Sequence, residues 1–206
     1  MSKLLEAIAR AAQIKHEKEI EIHKDNTALE GTIYSLLHHL DPNPDRQGLQ
    51  ETPARVARAW REWTRGYVED PAEILKTFED GAENYDQMVI VKDVQFHSHC
   101  EHHLAPFFGS VSVAYIPAKH IVGLSKLARL VDMFAHRLQV QERMTNQIAD
   151  AITKRLQPLG CGVLVKATHL CIESRGIKRV GSETVTSALR GVFMDATVKS
   201  EFLSLA

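Results

Sequence analysis

The sequence predicts an α+β fold, an antiparallel four-stranded sheet with two helices on one face, preceded by an N-terminal helical region. Three observations carry this expectation. Apolar residues recur at helical spacing through the first part of the chain and then, from Met88, at alternate positions. The segments from there on follow the order strand, strand, helix, helix, strand, strand, which lays two helices over one antiparallel sheet. The breaks between segments fall at proline, glycine or asparagine, where the chain turns. The expected division is a helical region over residues 1–80 and a single α+β domain over residues 81–206.

In chain order, residues 3–24 carry Leu4, Leu5, Ile8, Ala11 and Ala12 on one side of a helical wheel before the charged run Lys15-His16-Glu17-Lys18-Glu19. Thr27 and Glu30 fit a capping box, followed by Leu29, Ile33, Leu36, Leu37 and Leu40. That helix stops at Asp41-Pro42-Asn43-Pro44. Thr52-Pro53 opens the next helix, with Thr52 as cap and Val56, Ala57, Trp60 and Trp63 on the buried stripe. Arg55 and Arg58, three apart on it, read from the residues alone as a solvated basic face. A short helical piece is expected between Pro71 and Phe78.

Met88 to Val91 and Val94 to Phe96 read as one strand, and Val111, Val113 and Tyr115 as a second that ends at Pro117. Ser125 caps the first of two helices, whose core is Leu127, Leu130, Val131 and Phe134. Val140, Met144, Ile148, Ile152 and Leu156 line the second, which Pro158-Leu159-Gly160 ends. A third strand is expected over Val163 to Ile172, with Val163, Val165, Ala167, His169 and Cys171 on one face. Arg175-Gly176 closes it, and Glu183 to Phe193 supplies the fourth.

Composition narrows the function classes. Apolar residues make 44% and charged residues 25%, with a net charge of -1, which fits a soluble globular protein and gives no surplus of cations for nucleic acid. Three cysteines are too few, and odd in number, for a disulfide framework, so a reducing compartment is expected. Glu6 interrupts the position where a signal peptide would build its apolar run, and no stretch reaches membrane-spanning length. The expectation is a cytoplasmic protein with no membrane partner.

The chemistry concentrates between His97 and Pro106. Cys100 and His103 stand in a Cys-x-x-His spacing, which lets a thiolate and an imidazole close on one ion across a tight turn. Cys171, far downstream, offers a third ligand. The competing reading is two buried thiols beside a solvated histidine loop; a cysteine, two adjacent histidines and a glutamate within four residues favour the metal. Zinc held by three protein groups keeps a position open for water, whereas structural zinc is usually closed by four. Cys161 lies outside the group and reads as a packed thiol.

A zinc ion of that kind brings water toward ionisation near neutral pH, so the reaction class is hydrolysis. His102 and His169 are the natural proton carriers beside it. Ser125, Lys126 and Arg129 put donors and cations at a helix start, and with Arg175 they can neutralise an anionic substrate. Physical reasoning alone reaches a zinc hydrolase acting on an anionic small molecule.

Four blocks then carry a resemblance: Cys100-Glu101-His102-His103, Gly123 to Arg129, Gln139 to Arg143, and His169-Leu170-Cys171 with Arg175-Gly176. With Glu51-Thr52-Pro53, Arg55 and Thr184 to Ser187, they resemble the signature blocks of GTP cyclohydrolase I, over roughly residues 27–205. The resemblance implies conversion of GTP and water to 7,8-dihydroneopterin triphosphate and formate, the entry to folate and biopterin synthesis. It implies that water activated by Zn2+ attacks C8 of the guanine, the five-membered ring opens, formate leaves, and the ribose carbons close the pterin ring. Cys100, His103 and Cys171 match the zinc ligands. His102 matches the proton donor at the purine, and His169 the residue placed for proton transfer near the ribose.

By the same resemblance, Glu142 with Gln141 grips the guanine edge, a carboxylate accepting two N–H donors together. Ser125, Lys126, Arg129, Arg175 and Arg55 match the ribose and triphosphate contacts. The implied fold is the tunnelling fold, whose subunits join sheets into a pentameric ring. Two rings stack into a homodecamer with active sites between subunits. His99 departs from the family pattern, and Glu173, read as alternating to the face of Cys171, would add a negative charge near the triphosphate. Two rivals are a related purine-gripping nitrile reductase, which would need a nucleophilic Cys and a nicotinamide, and an assembly whose zinc is structural.

Overall fold

The computed structural model describes residues 26–78 and 85–206. The helix expected over residues 3–24 lies outside the described residues. Those described fall into two compact units, one through Val68 and the other Glu69–Ala206.

In the first unit, helix α1 (Asn26–Leu40) begins one residue before the expected cap Thr27. It is followed by an Asx turn in which Asp41 Oδ1 accepts from the Asn43 N–H at 2.9 Å. Helix α2 (Thr52–Trp63) takes Glu51 as its cap residue, so Thr52 and Pro53 sit inside its first turn rather than at its edge. Ala57 is fully buried on it, and Trp60 meets Trp63 edge to face at 5.3 Å.

In the second unit, Asp70 caps a single helical turn, α3 (Pro71–Ile74), by accepting from the Ala72 N–H at 2.8 Å. Strand β1 (Thr77–Phe78) pairs antiparallel with β4 (Ile121–Val122). The main sheet is built from β2 (Val89–Cys100), β3 (Pro106–Ile116), β6 (Gly160–His169) and β7 (Thr184–Gly191), each antiparallel to its neighbour in that order. The two apolar runs expected to form one strand do so across a bulge between Val91 and Val94, where Asp93 takes φ 57°.

Two features correct the four-stranded expectation. A two-residue strand, β5 (Leu138–Gln139), adds a fifth member, parallel to the last residues of β2, with His99 opposite Leu138 and Cys100 opposite Gln139. Two residues are too few to show a period in sequence. The third strand ends at His169, and residues Leu170–Glu173 form one helical turn, α6, closed by the Ser174 N–H on the Leu170 carbonyl at 2.9 Å. Cys171 and Glu173 therefore do not share the strand face of His169 by alternation. The Glu173 carboxylate accepts from the Gly181 N–H at 2.6 Å, which spends it on its own loop.

Helices α4 (Leu124–Ala135) and α5 (Gln141–Leu156) supply the helical layer. Leu127, Leu130, Val131, Met144, Ile148 and Ile152 bury their side chains against Val111, Val113, Val163 and Val165 of the sheet. Burying each such residue contributes about 1.5–3 kcal/mol, which makes this layer the main hydrophobic contribution in the unit. The opposite face is also partly covered, contrary to the one-face expectation. Helix α7 (Ala196–Leu205), capped by Asp195 on the Thr197 N–H at 2.9 Å, packs Phe202 with Phe193 over Ala114 and Leu164. Among the described residues no helix is long and apolar enough to cross a membrane.

Gly109 on β3 sits opposite Ala167 on β6, two pairs from the Phe107–His169 pair at the site end of the sheet. A Cβ there would stand 1.9 Å from the Lys166 carbonyl oxygen and 2.8 Å from the Ala167 Cα. Both obstacles are backbone, so Gly109→Ala must prise β3 from β6. We expect a loss on the order of 3 kcal/mol, read as a lower thermal midpoint; an unchanged midpoint would show that the strands yield freely.

Candidate active site

The turn between β2 and β3 is held by its own backbone. The Cys100 N–H donates to the Ala105 carbonyl at 2.9 Å, and the Cys100 carbonyl accepts from the N–H groups of Leu104 at 2.8 Å and His103 at 3.3 Å. Leu104 takes φ 53°, the left-handed conformation that closes so short a reversal. The added strand β5 ties the turn laterally, since the Glu101 N–H donates to the Gln139 carbonyl at 3.0 Å. Cys100 is buried at the end of β2, while His102 and His103 stand exposed on the turn.

Cys171, on α6, comes to the same place. The ligand atoms of Cys100, His103 and Cys171 all lie within 4.8 Å of one another, the one such group among the described residues. The Cys100 sulfur is 3.7 Å from His103 Nδ1. Zinc bonds of ~2.3 Å to sulfur and ~2.0–2.1 Å to nitrogen, at the tetrahedral angle, put those two atoms about 3.6 Å apart. The donor set and its spacing therefore fit zinc. His102 Nδ1 also lies 3.9 Å from the Cys100 sulfur, but it is not part of the group with Cys171. Burial, and next the nearby Cys100 sulfur, push the Cys171 thiol up, so apo protein holds that ligand protonated and metal binding must release the proton.

His169, the last residue of β6, lies flat on Phe107, with ring centroids 4.6 Å apart and planes 4° from parallel. Its Nε2 is 2.7 Å from Gln141 Oε1. Burial pushes its pKa down, and the charge of the Glu142 carboxylate partly opposes this. Gln141 and Glu142 open α5 side by side in sequence and differ completely in setting. Glu142 is exposed, whereas Gln141 is 2% exposed and its amide nitrogen meets the Val165 and Thr184 carbonyls at 3.2 and 3.0 Å.

Ser125, Lys126 and Arg129 stand along the start of α4, Ser125 and Arg129 exposed and Lys126 half-buried. The cap position belongs to Gly123 rather than Ser125, and no side chain caps this helix start. The Ser125 hydroxyl is thus left available. Arg175 is exposed just past α6. Arg55, in the first unit, pairs with Glu51 at 2.8 Å and donates to the Gly48 carbonyl at 3.2 Å.

Reading the sequence missed three groups. Arg143 grips the Glu101 carboxylate with both guanidinium nitrogens, holding it below the usual carboxylate range and fastening the Cys100–His103 turn to α5. The charge pair was visible inside two singled-out blocks, but nothing in the spacing joined them. The Thr145 and Thr186 hydroxyls meet at 2.7 Å behind Gln141; Thr145 left no signal, and Thr186 stood inside the Thr184 to Ser187 block with nothing to join it to Gln141.

Comparison with known proteins agrees with this geometry. The family model described as GTP cyclohydrolase I matches residues 29–206. The GTP cyclohydrolase 1 of Janthinobacterium sp. (strain Marseille) is 59% identical over 172 residues, 83% of this chain and 87% of that protein. The protein of the same name from Nitrosospira multiformis is 57% identical over 177 residues, 85% and 93% of the two chains. That from Rattus norvegicus is 46% identical over 199 residues, 95% of this chain and 80% of its own.

Proposed function

Because the chain belongs to the GTP cyclohydrolase I family and is a GTP cyclohydrolase, we propose that it turns GTP and water into 7,8-dihydroneopterin triphosphate and formate with one zinc held by Cys100, His103 and Cys171. The observation that carries the zinc assignment is the convergence of those three ligand atoms from two distant segments, with no fourth protein ligand in the group among the described residues. When bound, the zinc supplies Lewis acidity and acidifies water at its open position.

The remaining work falls to side chains. Glu142, exposed at the start of α5, accepts the N1–H and N2–H of the guanine edge and so fixes which end of the base faces the metal. Ser125, Lys126, Arg129, Arg175 and Arg55 take the ribose and triphosphate, their charges offsetting those of the phosphates. Gln141 is a different case from its pairing with Glu142 in the expected guanine contact, since its side chain is closed to solvent and its amide is engaged inside the protein. His102 sits on the metal turn with Nε2 3.8 Å from Glu101, and in this reading it delivers a proton at the purine.

The functional unit in this reading is a homodecamer of two stacked pentamers, with sites completed across subunits. Its support is the outer edge of β7, which is unpaired among the described residues and carries half-exposed Val185. The product would enter folate or biopterin synthesis in the cytoplasm.

His102→Ala tests the separation of acid from ligand. The variant should retain about one zinc per chain while formate release from GTP falls by on the order of 100-fold or more. Loss of the metal together with His102 would exchange the roles of His102 and His103. Zinc-loaded wild-type protein that gave neither formate nor a fluorescent pterin after oxidation would exclude the reaction itself.

A further inference from the structure

His169 Nε2 and Gln141 Oε1 are 2.7 Å apart, and the other end of the Gln141 amide decides which atom donates. The Gln141 nitrogen faces the Val165 carbonyl at 3.2 Å, the Thr184 carbonyl at 3.0 Å and the Thr186 hydroxyl at 3.1 Å. Carbonyls can only accept, so the amide nitrogen belongs on that side; the reversed amide would set its oxygen against two carbonyl oxygens in a place closed to water.

The threonines complete the assignment. Thr145 donates its hydroxyl hydrogen to the Gln141 main-chain carbonyl at 2.7 Å. Its oxygen, 2.7 Å from that of Thr186, then accepts the Thr186 hydrogen, which leaves the Thr186 oxygen to accept from the Gln141 amide. The two hydrogens of the Gln141 amide are then shared among three acceptors, none of which has a hydrogen to donate back. With the amide oriented, Oε1 is an acceptor, and His169 Nε2 must carry the hydrogen.

We propose that Gln141, backed by Thr145 and Thr186, is a positioning residue that locks His169 in the Nε2–H tautomer, so that the Nδ1 lone pair is what the ring offers to substrate. The fully buried Phe107 ring stacked on His169 resists rotation that would exchange the two nitrogens. Nδ1 has no protein partner among the described residues, so it is free to accept a hydrogen bond from a substrate hydroxyl. The inference rests on the reading of His169 as a residue that meets the substrate, and it specifies the nitrogen that does so. It also gives Gln141 a task distinct from gripping guanine.

The test is nitrogen NMR of zinc-loaded, full-length protein labelled with 15N-histidine at pH 7.5, with the His169 signals assigned by comparison with His169→Asn. The expected spectrum has a protonated Nε2 and an unprotonated Nδ1; the opposite pattern, or an even mixture, overturns the proposal. Gln141→Met, which removes the acceptor at similar size, should give mixed tautomers and lower kcat at least about tenfold, with KM for GTP and zinc content little changed. A folded Gln141→Met enzyme with wild-type kcat, or one that loses only KM, would also overturn it. Wild-type protein that showed the expected tautomer but released no formate would count against the functional reading instead.

Discussion

Cys171→Ser is expected to lower zinc affinity by on the order of 100-fold or more and to abolish formate release in chelator-buffered solution. The magnitude follows from the ligand count. Replacing a group that only supports a metal ligand typically costs about 10–100-fold, and here a ligand itself is lost, leaving Cys100 and His103 alone. A serine hydroxyl does not ionise near neutral pH, so it cannot replace the thiolate. The fold should survive. Cys171 is only partly buried, on a single helical turn, and packs against the core cluster from outside rather than within it. A competition titration against a chelator, with circular dichroism on the same sample, reads both effects. Wild-type affinity in this variant would remove Cys171 from the ligand set.

Glu142→Gln carries the second large effect. The substitution keeps the size and exposure of a side chain at the open start of α5 and removes its charge. An ionised carboxylate accepts two guanine N–H donors at once, whereas an amide turns one of its ends into a donor facing a donor. Adenine presents a ring-nitrogen acceptor where guanine has N1–H, so with Glu142 on the guanine edge the wild-type site is expected to reject ATP by leaving a charge unpaired. That mismatch is worth a few kcal/mol, or roughly 100-fold and upward. Glu142→Gln should therefore turn over GTP at least about 100-fold more slowly and lose much of its preference over ATP, with zinc content unchanged. Near-normal formate release at saturating GTP would take guanine recognition away from this residue.

Much of the site was legible because its ligands have short-range structure. Cys100 and His103 are three residues apart on one turn, and a turn of that length leaves them little choice but to converge. For Cys171 the residue type carries the reading, and the structure replaces only its expected placement. Alternation put it beside His169 on a strand, but the apolar run Leu170-Cys171-Ile172 suits a helix equally, and hydrogen bonding to Leu170 selects the helix. The ligand set emerges from two segments whose meeting no local pattern encodes. Gln141 shows the limit more sharply. A glutamine followed by Glu142 and Arg143 at a helix start carries no local sign of burial, and only the arrival of β6 and β7 buries it. For α7, by contrast, a signal was present: Asp195 ahead of Ala196 and Thr197 is a readable cap, which the strand pattern running to Phe193 obscured.

The proposed centre is one zinc on two sulfurs and one nitrogen with a position left open for chemistry. X-ray absorption at the zinc edge of the loaded, substrate-free protein tests it most directly. The expected coordination is two sulfurs at about 2.3 Å, one imidazole nitrogen at about 2.0–2.1 Å and one oxygen from solvent. A shell of four protein ligands, whether from a second imidazole or a third sulfur, would contradict it, because such a zinc is closed and structural.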